Sequence, residues 1–93
     1  MLSDLPGNLL FMNFSLEDFK KIRLEKQQYL AENSIFLDER SEGATFFKLY
    51  RLNDFYVELS FNRVGEQLMG IKAFKDRRYL APYISRDLQD QQF

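Results

Sequence analysis

Few of the side chains in this 93-residue chain can do chemistry, because it contains no histidine and no cysteine. The first absence removes the commonest general base near neutral pH and the commonest transition-metal ligand. The second removes thiolate nucleophiles and disulfides. A zinc site would have to be built from carboxylates alone, an unusual donor set. Asp38 and Glu39 are adjacent, so on a strand they project to opposite faces and cannot act as a carboxylate pair. Asp54 and Glu42 are accounted for by turn chemistry, since Asp54 follows Asn53 and Glu42 precedes Gly43. Four scattered glycines match neither phosphate-binding loop pattern, and no nucleophile elbow or metal-ligand spacing is present. The expectation is a chain that is not an enzyme and takes no cofactor and no metal.

The cations form two local clusters. Lys20, Lys21, Arg23 and Lys26 make one, and Lys72, Lys75, Arg77 and Arg78 make the other. Brought together in space they could contact phosphates. The first four point in several directions around a helix, however, and Glu17, Asp18, Glu25 and Asp76 dilute the field. The net charge of −1 gives no global argument for nucleic acid.

The elements that position these groups follow from hydropathy patterning. The length fits one domain, residues 1–93, with ten phenylalanines to fill a small core. Pro6-Gly7 breaks structure near the start, and Leu9–Phe14 reads as a short strand or an apolar lead-in. Ser15 is a helix N-cap, with Asp18 three residues on and Phe14 and Phe19 placed for a hydrophobic staple. Leu16, Phe19, Ile22, Tyr29 and Leu30 fall on one stripe, which predicts a single helix over 16–32. Arg23 and Lys26 intrude on that stripe, laying their stems along it and keeping their charges in water.

Four strands then follow: Ile35–Arg40, Thr45–Leu52, Phe55–Asn62 and Leu68–Phe74. Short turns at 41–44, at Asn53-Asp54 and at 63–67 imply an antiparallel meander in the order 1-2-3-4. In RLNDFYVELSFN, residues 51–62, Phe55, Val57, Leu59 and Phe61 face one way while Tyr56, Glu58, Ser60 and Asn62 face the other. The Asn53-Asp54 turn pairs Leu52 with Phe55, Tyr50 with Val57, Lys48 with Leu59 and Phe46 with Phe61. That places Lys48 toward the core, with Glu39 diagonal to it.

A two-residue third turn would set Lys72 against Val57, so the five-residue loop is preferred. It opposes Met69 to Phe61, Ile71 to Leu59, Ala73 to Val57, Lys72 to Glu58 and Phe74 to Tyr56. Asp76 then caps a short turn through Leu80. Pro82 opens a final helix whose stripe is Leu80, Ile84 and Leu88, and a polar tail runs from Asp87 to Gln92. The expected fold class is α+β: an N-terminal helix packed on a four-stranded antiparallel meander sheet, with a helical C-terminal segment. Cystatin-like folds and several others share that outline, and shape alone does not confer function.

One helix covers one sheet face. The other face carries Phe47, Leu49, Tyr56 and Phe74 among Arg51, Glu58, Lys72, Ser60 and Asn62. Aromatic side chains framed by polar ones are the composition of many interfaces. Either the C-terminal segment folds back over this face through Leu80, Tyr83 and Ile84, or the face meets a partner. The functional expectation is a non-catalytic protein-binding or self-associating module. Phe47, Leu49, Tyr56 and Phe74 are its anchors and Arg51 its polar orienter. Its partner would be another protein or a second copy in a homodimer. The alternative is a nucleic-acid-associated regulator using the two basic clusters. The run Leu9 to Met12 is too short for a signal-peptide core, and no stretch approaches the ~20 apolar residues of a membrane span, so no membrane is expected and the chain is read as cytoplasmic.

Overall fold

A computed structural model describes residues 14–84. Of the strand or lead-in expected over Leu9–Phe14 all but Phe14 lies outside the described residues, as do the tail from Asp87 and the expected continuation of the final helix past Ile84. The remainder is an α+β fold. Two short helices, α1 (Leu16–Lys21) and α2 (Leu24–Glu32), precede four strands: β1 (Ile35–Glu42), β2 (Thr45–Leu52), β3 (Phe55–Asn62) and β4 (Leu68–Phe74). The sheet is an antiparallel meander in the order β1-β2-β3-β4. A 3₁₀ turn, Arg77–Leu80, follows, and residues 81–84 are helical.

The helix start forms as its residue types require. Ser15 accepts from the Asp18 backbone N–H, and Asp18 accepts in return from the Ser15 backbone N–H, both at 3.1 Å. This reciprocal pair satisfies two of the donors that every helix N-terminus leaves open. It also holds the Asp18 carboxyl below the usual carboxylate range. Phe14 and Phe19 meet edge to face at 6.4 Å, completing the staple.

The single helix expected over 16–32 is two. Ile22 and Arg23 both adopt extended backbone, with ψ of 163° and 157°. Neither residue is a helix breaker. The junction is held instead by a tertiary contact, in which the Gln27 side-chain amide donates to the Phe19 carbonyl at 2.8 Å. The break also dissolves the expected stripe. Leu16, Phe19 and Ala31 are buried and Ile22 and Leu30 half-buried, but Tyr29 turns outward at 66% exposure.

The β2–β3 register is the expected one, with Leu52, Tyr50, Lys48 and Phe46 opposite Phe55, Val57, Leu59 and Phe61. The turn between them uses Asn53 at φ 57°, and the Asn53 side chain donates to the Phe14 carbonyl at 2.9 Å, fastening the chain ahead of α1. Residues 63–67 form the five-residue loop, with Gly65 at φ 83° and Glu66 at φ 52°. Beyond it, Ile71, Lys72, Ala73 and Phe74 face Leu59, Glu58, Val57 and Tyr56 as expected.

One pairing differs. A bulge sits between Ser60 and Phe61, so Leu68, not Met69, lies opposite Phe61. Leu68 joins the core and Met69 stays exposed. The extra residue lets the five-residue loop deliver a leucine to the core without flipping the rest of β4.

A second bulge, at Leu37, resets the parity of β1. Phe36, Glu39 and Ser41 therefore share the face of Tyr50, Lys48 and Phe46, and Ile35, Asp38, Arg40 and Glu42 share the opposite one. The main core lies between α1, α2 and the first sheet face, with Phe19, Phe55, Val57 and Leu59 at its centre. Lys48 is half-buried on that face, with Nζ 5.9 and 5.8 Å from the Phe46 and Phe61 ring centres. Its directly opposite neighbour on β1 is Glu39.

Candidate functional site

The second sheet face is laid out in rows set by register. Across the strands run Ile35, Arg51, Tyr56 and Phe74 in one row, then Asp38, Leu49, Glu58 and Lys72, then Arg40, Phe47, Ser60 and Gly70. The five residues singled out on this face, Phe47, Leu49, Arg51, Tyr56 and Phe74, thus come together on one surface. Their exposures differ. Leu49 and Phe74 are buried with Tyr83 in a small cluster separate from the main core, and Tyr56 and Leu80 pack against it. Phe47 and Tyr56 are half-buried, and Arg51 is exposed. The chain's own residues therefore cover the middle of the face through Leu80 and Tyr83, while Ile84 remains exposed.

Tyr83 is fastened by a charged network. Its hydroxyl donates to Glu58 Oε2 at 2.7 Å. Arg40 Nη2 lies 3.6 Å from the same oxygen, and Arg40 Nη1 lies 3.5 Å from Glu42 Oε1. The Arg40 guanidinium is stacked 4.0 Å over the Phe47 ring and 5.2 Å from that of Tyr83. Both charged side chains of the central pair are largely withdrawn from water, Arg40 at 15% and Glu58 at 13% exposure. An arginine and a glutamate survive such burial by pairing, and the aromatic faces supply further stabilisation to the cation. Arg40 Nε is buried and has no hydrogen-bond partner among the described residues. Burial pushes the Tyr83 hydroxyl far above the usual phenol range, and the hydrogen bond to the Glu58 carboxylate adds to the shift.

Lys72 sits opposite Glu58 in register but makes no ion pair with it, because the carboxylate is already engaged by Tyr83 and Arg40. Lys72 Nζ lies instead 4.1 Å from the centre of the Tyr79 ring. Tyr79 in turn packs on Phe74 at 5.3 Å, and Phe74 stacks on Tyr56 at 5.6 Å. Three rings and a cation thus continue outward from the covered middle of the face, ending at Tyr79, which is 49% exposed. At the other end of the Tyr56 row, Ile35 is 52% exposed.

The two basic clusters begin on different sides of the sheet. Lys20 and Lys21 lie on α1, which packs on the first face, and Lys72 lies on the second. Arg23 and Lys26 are exposed on and beside α2, and Arg23 pairs with Glu25 at 3.3 Å. Within the second cluster, Lys75 pairs with Asp54 at 3.2 Å. Arg78 folds onto Asp76 at 2.6 Å, and its hydrogen bonds hold the Asp76 carboxyl down to about 2. Among the described residues this leaves Arg51 and Lys72 as cations on the second face without an ion-pair partner.

Sequence reasoning passed over Arg40 and Tyr79. Strand parity carried the signal for Arg40, since it alternates with Glu39 and so faces away from Lys48. No signal marked Tyr79, whose position depends on how the chain turns after β4. Comparison with known protein families, curated proteins and solved structures finds no match for this chain.

Proposed function

We propose that this chain is a non-catalytic protein-binding module that meets its partner with the open part of the second sheet face. One observation carries the reading. The aromatic stack Tyr56–Phe74–Tyr79 starts from rings in and against the Tyr83 cluster and emerges at Tyr79, flanked by Arg51 and Lys72. Buried rings that run continuously into exposed ones, edged by cations, give a rigid apolar anchor with polar orienters. Interfaces favour that arrangement because aromatic rings bury large area at low entropic cost. Leu49 and Phe74 serve here from below. They hold the exposed rings in place, while Tyr56, Tyr79, Arg51 and the edge residue Ile35 would make the contact.

Site-specific photocrosslinking tests the reading. A benzophenone amino acid is placed at Tyr79, at Arg51, or at the exposed Val64 in the loop after β3, and the chain is expressed in its native cells. Discrete protein adducts are expected from positions 79 and 51 and not from 64. Equal labelling from all three positions, or none from the face positions, removes the basis of the proposal. Light scattering over a concentration series distinguishes a foreign partner from a second copy, since only self-association raises the mass of the purified chain.

A further inference from the structure

We infer that the partner presents an acidic, extended segment bearing one apolar anchor. This rests on the protein-binding reading above and narrows it to a chemical class. Charge complementarity carries it. The cations bordering the open strip, Arg51 and Lys72, have no ion-pair partner among the described residues. The nearby carboxylates are already engaged: Glu58 by Tyr83 and Arg40, Glu42 by Arg40, Asp38 by the Glu39 backbone N–H, Asp54 by Lys75, and Asp76 by Arg78. A surface whose acids are engaged internally and whose cations keep their full charge, Lys72 resting only on the Tyr79 ring, attracts anions selectively and steers them over a Debye length of about 8 Å at physiological salt.

Geometry sets the spacing of those anions. Arg51 and Lys72 lie two strands and two residues apart. With strands about 4.8 Å apart and a rise of about 3.4 Å per residue, their backbones are separated by about 12 Å. An extended peptide covers that distance in about three to four residues. Two carboxylates at that spacing would reach both cations while the intervening residues lie over Tyr56 and Tyr79. Beside Arg51 a shallow hollow of ≈ 230 Å³, lined by Asn33, Ser34, Ile35, Arg51, Leu52 and Asn53, has room for the apolar anchor.

A nucleic acid fits less well. Two unpaired cations on this face fall short of the six to ten phosphate contacts of a salt-sensitive complex.

The test uses three fluorescein-labelled probes and fluorescence anisotropy with the full chain at 50 mM salt. The first is a ten-residue peptide with glutamates four residues apart and one leucine two residues beyond the outer side of one glutamate, placed to enter the hollow beside Arg51. The second is the same peptide with lysines replacing the glutamates, and the third is a single-stranded oligonucleotide. The acidic peptide is expected to bind saturably and to weaken as salt is raised to 300 mM. Arg51→Glu combined with Lys72→Glu should weaken it about tenfold, Tyr79→Ser should weaken it about threefold, and Lys20→Glu on the far side should leave it unchanged. All four positions are exposed, so circular dichroism should show the native fold in each variant. Equal binding of the lysine peptide, indifference to the Arg51/Lys72 reversal, tighter binding of the oligonucleotide, or no saturable binding at millimolar acidic peptide each overturns the inference. Crosslinked adducts at positions 79 and 51 without acidic-peptide binding would reject the partner class and leave the protein-binding reading standing.

Discussion

Tyr83→Phe isolates the contact that seals the second sheet face. The substitution removes one hydroxyl and leaves the ring in its cluster with Leu49 and Phe74. The lost bond is 2.7 Å long and ends on a carboxylate that is only 13% exposed. Hydrogen bonds to charged acceptors contribute about 1.5–3 kcal/mol, more than neutral ones, because water cannot replace the donor at a buried site. Arg40 Nη2 remains 3.6 Å from the same oxygen and keeps Glu58 from being fully orphaned. The expected loss is therefore near the lower middle of that range, about 2 kcal/mol. For a domain of this size that lowers the melting temperature by roughly 8–16 °C. Urea denaturation followed by circular dichroism measures it directly, with an unchanged slope expected because the surface exposed on unfolding is the same. Glu58→Gln closes a double-mutant cycle, and a coupling of at least about 1 kcal/mol with Tyr83→Phe is expected for two groups in direct contact. A loss below about 0.5 kcal/mol, or a coupling near zero, would refute the claim that this bond fastens the C-terminal residues to the sheet.

Two further expectations concern pH and the main core. The hydroxyls of Tyr83 and Tyr50 both titrate above their ordinary range, mainly because burial disfavours the phenolate, so the unfolded chain loses these protons first as pH rises. Stability should be insensitive to these groups below about pH 10 and fall progressively above it, and Tyr83→Phe should flatten part of that fall; a melting temperature that rises from pH 9 to 11 would contradict the assignment. Phe55, fully buried against Phe19 at 5.5 Å, should cost about 3–5 kcal/mol when truncated to alanine, whereas Val64→Ser at 81% exposure should stay within about 0.5 kcal/mol by the same urea assay.

What the sequence disclosed and what it withheld divide along a physical line. Alternation with period two placed β2 and β3 to the residue, because a one-residue slip there would drive Phe55, Val57, Leu59 and Phe61 into water. The capping box at Ser15 and the Asp76 cap on the turn after β4 were legible because each is a contact between residues two or three positions apart. The break at Ile22-Arg23 was not, since it is held by the Gln27 side chain reaching back to Phe19 and involves no residue that opposes a helix. The bulge at Leu37 was hidden because it carries no glycine or proline, whereas the bulge opposite Ser60 and Phe61 falls at Met69 beside Gly70, a strand glycine of the kind that marks such a site. At the candidate site the rows of the second face could be read from parity. The Arg40–Glu58–Tyr83 network could not, because Tyr83 belongs to a segment whose return path over the sheet no local pattern specifies.

The second face poses a covering problem that the described residues meet only in part. A four-stranded sheet with apolar residues on both faces needs a layer on each side. The two helices provide one layer, over Phe55, Val57, Leu59 and Phe61. Among the described residues the other layer consists of a single 3₁₀ turn and the helical residues 81–84, too little to span three rows across four strands. The ring of Tyr83 closes the middle row by covering Leu49, and its hydroxyl satisfies Glu58, the acid that would otherwise be hardest to leave half-sheltered. Arg40 beside it is sheltered by Phe47. Among the described residues the row of Ile35, Arg51 and Tyr56 is sheltered only at Tyr56, which packs against the Tyr83 cluster, and there Arg51 lacks an ion-pair partner. Were this row merely a frayed margin of the core, replacing Ile35 and Tyr56 by small polar residues would affect folding alone; as a contact surface, it must also lose its crosslinked partner.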